Sequence, residues 1–393
     1  MKFQRVKKIL VIKLRHIGDV LLTAPTLRAL REHFSDAHIA VLANSGTEDV
    51  LTGNTSINEI ITFDRSIKHL GQFRRSAREM SFLKTVRNKG FDMTIDLTGG
   101  DRAAILSFVS GARYRLGWKP NKGFIGKKHL YTHCSEPDGR RHMVLQNLDI
   151  MGQFGIKTEN LSVNFHIPEV TRIFVKRIFD ENNIPLNTSL SKGEQREVKV
   201  VHVHPTSRWL FKCWRDEYMA EIIRWLLDKG LTVIVTSSRE SYEIEKTKRI
   251  LSLIPSLITH NASRLIDFCG KTSVKQLAAI SEASQLFFGV DSAPMHIAAA
   301  VGTPVVALFG PSGAFNWGPW DNGQGSRTNK LSQYPAQNGM QNSGMHTVIQ
   351  RDWNCVPCGK DGCAGSKVSK CLEDMTPEMI KSILKEKLGY SKR

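Results

Sequence analysis

No stretch of this chain stays apolar for the ~20 residues that a membrane-spanning helix needs. The longest candidate, residues 286–310, is broken by Asp291, Pro294, His296 and Pro304. The N-terminus also lacks the apolar core of a secretion signal: Met1-Lys-Phe-Gln-Arg-Val-Lys-Lys leads into residues 9–12 and then Lys13. A cytoplasmic protein is therefore expected. Cysteine is scarce and odd in number, 7 in 393 residues, which favours free thiols or a bound metal over a disulfide framework. Acidic residues are the other shortage, since 37 of them against 55 Lys and Arg leave a formal charge of +18. An anionic partner follows, whether nucleic acid, a phosphorylated small molecule or an acidic membrane. No Gly-x-Gly-x-x-Gly marks a dinucleotide site. Gly270-Lys271-Thr272 imitates only the end of a P-loop, with Leu265 where its first Gly should stand, so a nucleotide hydrolase is excluded.

What the chain does have is 41% hydrophobic residues, enough to bury a core over two or three domains. Short β-branched runs, each followed by a helix-like stretch, recur at 9–14, 39–42, 60–63 and 93–97, then at 198–204, 232–237, 286–290 and 305–309. Alternating strands and helices predict an α/β protein with two doubly wound parallel sheets, whose ligands sit beyond the carboxyl ends of the strands. The polar run within 185–197 is the natural linker, giving domains 1–185 and 186–393 that face one another across a cleft. Residues 68–89 form a basic amphipathic stretch containing Arg74, Arg75 and Arg78, either a solvated helix or a surface for an anionic acceptor or membrane. Residues 323–345, rich in Asn, Gln, Ser and Gly, predict a mobile inserted loop.

Three segments carry candidate chemistry. After the first strand, Arg15-His16-Ile17-Gly18-Asp19-Val20 puts Asp19 at a helix N-terminus, as a plain cap or as a carboxylate aimed into the cleft. Pro25 either kinks that helix or marks its true start. In the second half, Thr206, Ser207 and Lys212 follow a strand, as a phosphate would want, although a capping hydroxyl and a solvated lysine explain the same letters. Finally, Asp291-Ser292-Ala293-Pro294-Met295-His296 ends a buried strand and opens a helix whose first amides are an anion site. His296 is equally a core histidine.

Taken with Gly302-Thr303-Pro304, these motifs resemble the ADP-heptose:lipopolysaccharide heptosyltransferases, glycosyltransferase family 9, of GT-B fold. The ending Asp352-Trp353-Asn354-Cys355-Val356-Pro357-Cys358 is most similar to the heptosyltransferase III branch. The resemblance implies two Rossmann-like domains: an acceptor-binding one carrying the base, and a nucleotide-sugar-binding one whose final helix returns to the first. It implies inverting, metal-independent transfer of heptose from ADP-L-glycero-D-manno-heptose to an inner-core heptose. Asp19 would be the base, and Lys212 with the amides beyond Asp291 would hold the departing ADP. Thr206, Ser207, Asp291, Ser292, Ala293 and His296 would line the donor phosphates, and Glu243 or Glu245 would contact the ribose. Arg15, His16, Arg74, Arg75 and Arg78 would meet the acceptor. Ala293 departs from the family's usual Gly there, reducing backbone freedom.

Besides this phosphorylated acceptor, the expected partners are the ADP-sugar and, peripherally, the anionic cytoplasmic face of the inner membrane. No cofactor is required. Cys355, Cys358, Cys363 and Cys371 have the spacing of a structural zinc site, although such segments recur in the family without a metal role. The alternatives are a related enzyme with another nucleotide sugar and, more remotely, a basic nucleic-acid-binding protein with a four-cysteine metal module. Against the last, the cations are dispersed and not interleaved with aromatics, so no nucleic acid is expected.

Overall fold

The computed structural model describes residues 3–182, 184, 200–254, 262–323 and 332–390. They fall into two compact units, the first ending at His166 and the second starting at Ile167. In the first unit, β1 (Lys8–Lys13), β2 (His38–Asn44), β3 (Glu59–Phe63), β4 (Met93–Asp96), β5 (Tyr114–Trp118) and β6 (His133–Ser135) form a sheet. It is parallel throughout, in the order β3-β2-β1-β4-β5-β6. The connecting helices are α1 (Ile17–Leu21), α2 (Ala24–His33), α3 (Gln72–Asn88), α4 (Asp101–Val109) and α5 (Met143–Gly152). From Ile9 onward β1 is buried at every position, as a parallel strand covered on both faces must be, which is why residues 9–12 read as an unbroken apolar run.

The second unit contains α6 (Glu169–Glu181), β7 (Val200–His204), α7 (Asp216–Asp228), β8 (Thr232–Ser237), α8 (Ser241–Ser252), β9 (Leu265–Cys269) and α9 (Val274–Ala283). It continues with β10 (Leu286–Val290), α10 (Ala293–Ala300), β11 (Val305–Phe309), α11 (Ala314–Trp317), β12 (Gln341–Ser343), β13 (His346–Gln350), α12 (Lys370–Glu373) and α13 (Pro377–Lys387). Its strand order is β12-β13-β11-β10-β7-β8-β9, with only β12 antiparallel to its neighbour. Each sheet thus reverses strand order once, between β1 and β4 and between β7 and β10. In open α/β sheets the crevice at that reversal is where ligands bind. Among the described residues no helix is long and apolar enough to cross a membrane.

The α/β class with two Rossmann-like parallel sheets is the one expected; the details differ. The first unit closes well before residue 185, because α6 packs on α9 of the second unit and Arg172 forks onto Glu282 at 2.8 and 2.9 Å. The linker expected at 185–197 lies outside the described residues. The final helix packs within the second unit: Ile380 and Leu384 of α13 are buried in that unit's core, and Lys381 pairs with Glu221 on α7. Of the inserted loop, 324–331 lie outside the described residues, but 332–345 are anchored. Tyr334 is fully buried with its hydroxyl donating to the Pro319 carbonyl at 2.7 Å, and the Gln333 amide pairs with the Asp321 backbone. Amide and tyrosine hydrogen bonds thus do here what apolar periodicity does elsewhere.

Candidate functional site

At the reversal point of the first sheet, β1 ends in Lys13 and the chain turns through Leu14 and Arg15 into α1. Asp19 lies in the first turn of this helix, half-buried. The helix stops after five residues, and Pro25 marks the start of α2 rather than kinking one long helix. Arg15 is exposed and donates to the Thr98 carbonyl at 2.9 Å, while half-buried His16 precedes α1 as its N-cap residue. Arg74, Arg75 and Arg78 lie elsewhere, on exposed positions of α3.

Beneath Asp19 lies a polar network that composition did not reveal. Lys13 is 2% exposed, and its ammonium donates to the Leu97 carbonyl at 3.0 Å and to Asn147 Oδ1 at 3.1 Å. Burial lowers its pKa to about 8, opposed by the charge of Asp19, reinforced by Arg15 and opposed again by Asp96. Asn147, on α5, also donates to the Leu22 carbonyl at 3.2 Å, so one amide ties the end of β1 to the break between α1 and α2. Asp96, fully buried at the end of β4, accepts from Tyr131 Oη at 2.5 Å and from the amides of Thr98 and Gly99 at 2.7 and 3.0 Å. Burial nonetheless holds its pKa above the ordinary value. The available signal was a lysine closing an otherwise apolar strand.

The second sheet repeats the plan. Beyond β10, Asp291 is 5% exposed and accepts from Lys212 Nζ at 2.7 Å; Lys212 comes from the 3-10 turn Leu210–Lys212. Burial alone would raise the Asp291 pKa. The Lys212 ammonium, through charge and hydrogen bond, outweighs it with help from the Ser312 hydroxyl and His296, holding the carboxyl below its ordinary value. Ser292 precedes α10 with its hydroxyl buried and without a hydrogen-bond partner among the described residues, and Ala293 opens the helix. His296 is 5% exposed within α10, close enough to bear electrostatically on Asp291.

Thr206 and Ser207, after β7, are both buried. The single proton of the Thr206 hydroxyl is committed to Glu243 Oε2 at 2.8 Å, and Ser238 Oγ donates to the other oxygen at 2.6 Å. While these bonds hold, Thr206 has no proton for a phosphate. Glu243, 3% exposed, supports this turn from within rather than facing a ribose, whereas Glu245 is exposed on the same helix. Ser207 Oγ accepts from the Trp209 amide at 3.4 Å and so keeps its own proton to donate. A cavity of about 420 Å³ lined by Leu210, Trp214, Asp216, Lys246, Ser369 and others opens beside this turn; neither Lys212 nor Asp291 lines it, so geometry does not make it the donor site.

The four C-terminal cysteines, whose spacing allows a zinc site, lie within reach of one another's charge. Cys355 and Cys358 are exposed, Cys363 is half-buried and Cys371 is buried, its thiol pushed up to about 11 by burial and then by the other three thiols. The four are near enough to act on one another. Even so, among the described residues no three His, Cys, Asp or Glu side chains gather as metal ligands.

The glycosyltransferase family 9 (heptosyltransferase) model matches residues 79–345. Lipopolysaccharide heptosyltransferase 3 of Escherichia coli K12 is 29% identical over 309 residues, 78% of this chain and 83% of that protein. The solved structure of E. coli ADP-heptose lps heptosyltransferase II superimposes with a TM-score of 0.70 at 20% identity, covering 98% of this chain and 99% of that one. E. coli heptosyltransferase WaaC with ADP-2-deoxy-2-fluoro heptose gives a TM-score of 0.64 at 16% identity, covering 96% and 99%. These structural likenesses carry the fold, GT-B; the family match carries the chemistry. With most of its length matched by that family's model, this chain belongs to glycosyltransferase family 9 and is a glycosyltransferase.

Proposed function

We propose that the protein transfers heptose from ADP-L-glycero-D-manno-heptose to an inner-core heptose of lipopolysaccharide, inverting the anomeric centre without a metal ion, in the manner of a heptosyltransferase III. One observation carries this reading: Asp19 in one unit and the Lys212–Asp291 pair in the other each stand at the strand-order reversal of their own sheet. The names of the relatives point the same way, to lipopolysaccharide cores and to an ADP-heptose analogue. Inversion requires the acceptor oxygen to attack opposite the leaving diphosphate, so base and leaving-group site belong on different sides of the sugar. Asp19 takes the proton of the attacking hydroxyl, a contribution of ~10² to 10⁴ in rate. Lys212 carries three ammonium protons; one serves Asp291, and the others are available to the diphosphate as its charge develops. The Ser207 and Ser292 hydroxyls and the first amides of α10 complete the cradle. No step needs the C-terminal cysteines. The enzyme works in the cytoplasm, at the cytoplasmic face of the inner membrane where its acceptor is displayed.

The test is Asp19→Asn. The variant should bind ADP-heptose as wild type does, by calorimetry, yet lose transfer to a truncated inner-core acceptor. Undiminished turnover would remove Asp19 from the mechanism. Product analysis with ADP-heptose against other nucleotide sugars separates this reading from a family member with another donor.

A further inference from the structure

The first unit carries apolar side chains in water well away from Asp19. Phe73 is 90% and Met80 68% exposed. Seven positions apart on α3, they share one face, while Phe82, Leu83 and Val86 turn inward. On α4, which packs against α3, Ile105 and Phe108 are also exposed. Phe124 and Ile125 form the tip of the loop leading to the 3-10 turn Lys127–Leu130, and Ile125 has no cover at all. That turn packs on α4, where Lys127 pairs with Asp101 at 3.0 Å and donates to the Gly99 carbonyl at 2.8 Å. Cations outnumber acids on these elements. The acids of α3, α4 and the loop are Glu79 and Asp101, and both are engaged: Glu79 by Arg75 and Arg102, Asp101 by Lys127. Arg74, Arg78, Lys84, Lys122 and Lys128 stay exposed around the apolar tips.

Exposed aromatic and aliphatic tips ringed by cations are the composition of an interfacial membrane anchor. We propose that α3, α4 and the 119–128 loop dock on an anionic bilayer, with Phe124 and Ile125 entering the acyl boundary and the surrounding cations meeting lipid phosphates. A second copy of the chain fits worse, because two such rims would repel. The proposal rests on the reading above for its purpose, delivery of the enzyme to a lipid-borne acceptor, but not for its physics.

The experiment is flotation of the full chain with phosphatidylglycerol-containing vesicles and with pure phosphatidylcholine vesicles. Binding should favour the anionic vesicles, weaken in high salt and retain a salt-resistant part. Phe124→Ser with Ile125→Ser should lower partitioning by about ten-fold or more. Lys84→Glu with Lys122→Glu should lower it by at least about five-fold per lysine, each surface cation being worth ~1 kcal/mol. Both double variants should keep the wild-type melting temperature and wild-type transfer to a delipidated, water-soluble acceptor. Equal flotation with both vesicle types, no flotation, or variants that float like wild type would overturn the proposal. So would a wild-type dimer, detected by light scattering, that the Phe124/Ile125 variant loses. A wild-type chain that floats as expected yet transfers no sugar would sink the functional reading and leave the docking surface standing.

Discussion

Replacing Lys212 by Met should damage stability and catalysis in separable ways. Its partner Asp291 has a side chain only 7% exposed, and Lys212 itself only 21%. Removing one member of such a pair leaves an uncompensated buried charge, at ~3 to 5 kcal/mol. The pH dependence follows from the two carboxyl pKa values. In the wild type the folded-state value lies below the ordinary one, so the stabilisation is present above about pH 3.9 and lost as pH falls through the folded value. In Lys212→Met burial is no longer outweighed and the folded value rises above the unfolded one. The variant therefore tolerates acid, where Asp291 is protonated, and loses stability as pH climbs. The gap between the proteins should be smallest below the wild-type folded value and widen as pH rises, first as the wild-type carboxyl ionises and then as the variant's raised one does. Urea unfolding followed by tryptophan fluorescence reads this in the correct unit, since of the seven tryptophans only Trp118 lies in the first. Adding Asp291→Asn removes the orphaned charge while leaving a partner for the Ser312 hydroxyl, so the double variant should regain most of the stability at every pH. It should not regain activity: kcat/KM should stay down by ~10² to 10³, the usual cost of losing one preorganised donor to a leaving group. A pH-independent gap, or a double variant no more stable than Lys212→Met, would refute the account of this pair.

Three further outcomes are expected. His202 and His204 share the Thr236 hydroxyl at 2.7 and 2.8 Å inside the second sheet, and burial lowers the His204 pKa to about 3. Being neutral when folded, His204 contributes its full stability above pH 6.5 and loses it on acidification, by ~2 kcal/mol at pH 5, and the urea midpoint of the second unit should fall accordingly. Gly289→Ala should destabilise by ~1 to 3 kcal/mol in thermal unfolding, since its new Cβ would meet the His204 carbonyl oxygen at 2.6 Å, a backbone atom that cannot step aside. Glu243→Ala should strand the Thr206 and Ser238 hydroxyls at ~1 to 3 kcal/mol and raise the donor KM, while Glu243→Gln, which keeps an acceptor, should cost less and leave kcat near wild type.

The residues at the ends of strands were legible because an apolar run that stops at a polar residue marks the carboxyl edge of a buried parallel strand. Asp291 follows such a run directly, Thr206 stands two residues beyond one, and Asp19 and Lys212 were read from the segments after theirs; the runs 232–237, 286–290 and 305–309 coincide with β8, β10 and β11. Five strands were missed, β5, β6, β9, β12 and β13: Tyr114–Trp118 mixes arginine and glycine into its five residues, Leu265–Cys269 carries an aspartate at its centre, His133–Ser135 and Gln341–Ser343 are only three residues long, and His346–Gln350 follows directly on a stretch read as loop. The domain boundary was misjudged for a related reason. Polarity in 185–197 is visible in one dimension, whereas the attachment of α6 to α9 depends on a guanidinium meeting a carboxylate 110 residues away.

The support of each candidate site shows the same limit more sharply. A candidate carboxylate near a strand end announces itself by position, but what holds the turn around it comes from distant segments whose letters look ordinary. Asn147 sits within Leu145-Gln146-Asn147-Leu148, and nothing local says that its amide accepts from Lys13 and donates to Leu22. Glu243 was singled out by its expected place after a strand, yet it faces inward because Thr206 and Ser238 offer two protons to a buried carboxylate. In both units a buried polar side chain on a later helix holds the strand-end turn of the first βα element: α5 through Asn147 in one, α8 through Glu243 in the other. Two sheets whose first five strands share one order thus meet the same mechanical problem, fixing a short turn at the strand-order reversal, in the same way but with different chemistry. A neutral amide serves where an ammonium is held near a carboxylate, and a carboxylate serves where two hydroxyls are held.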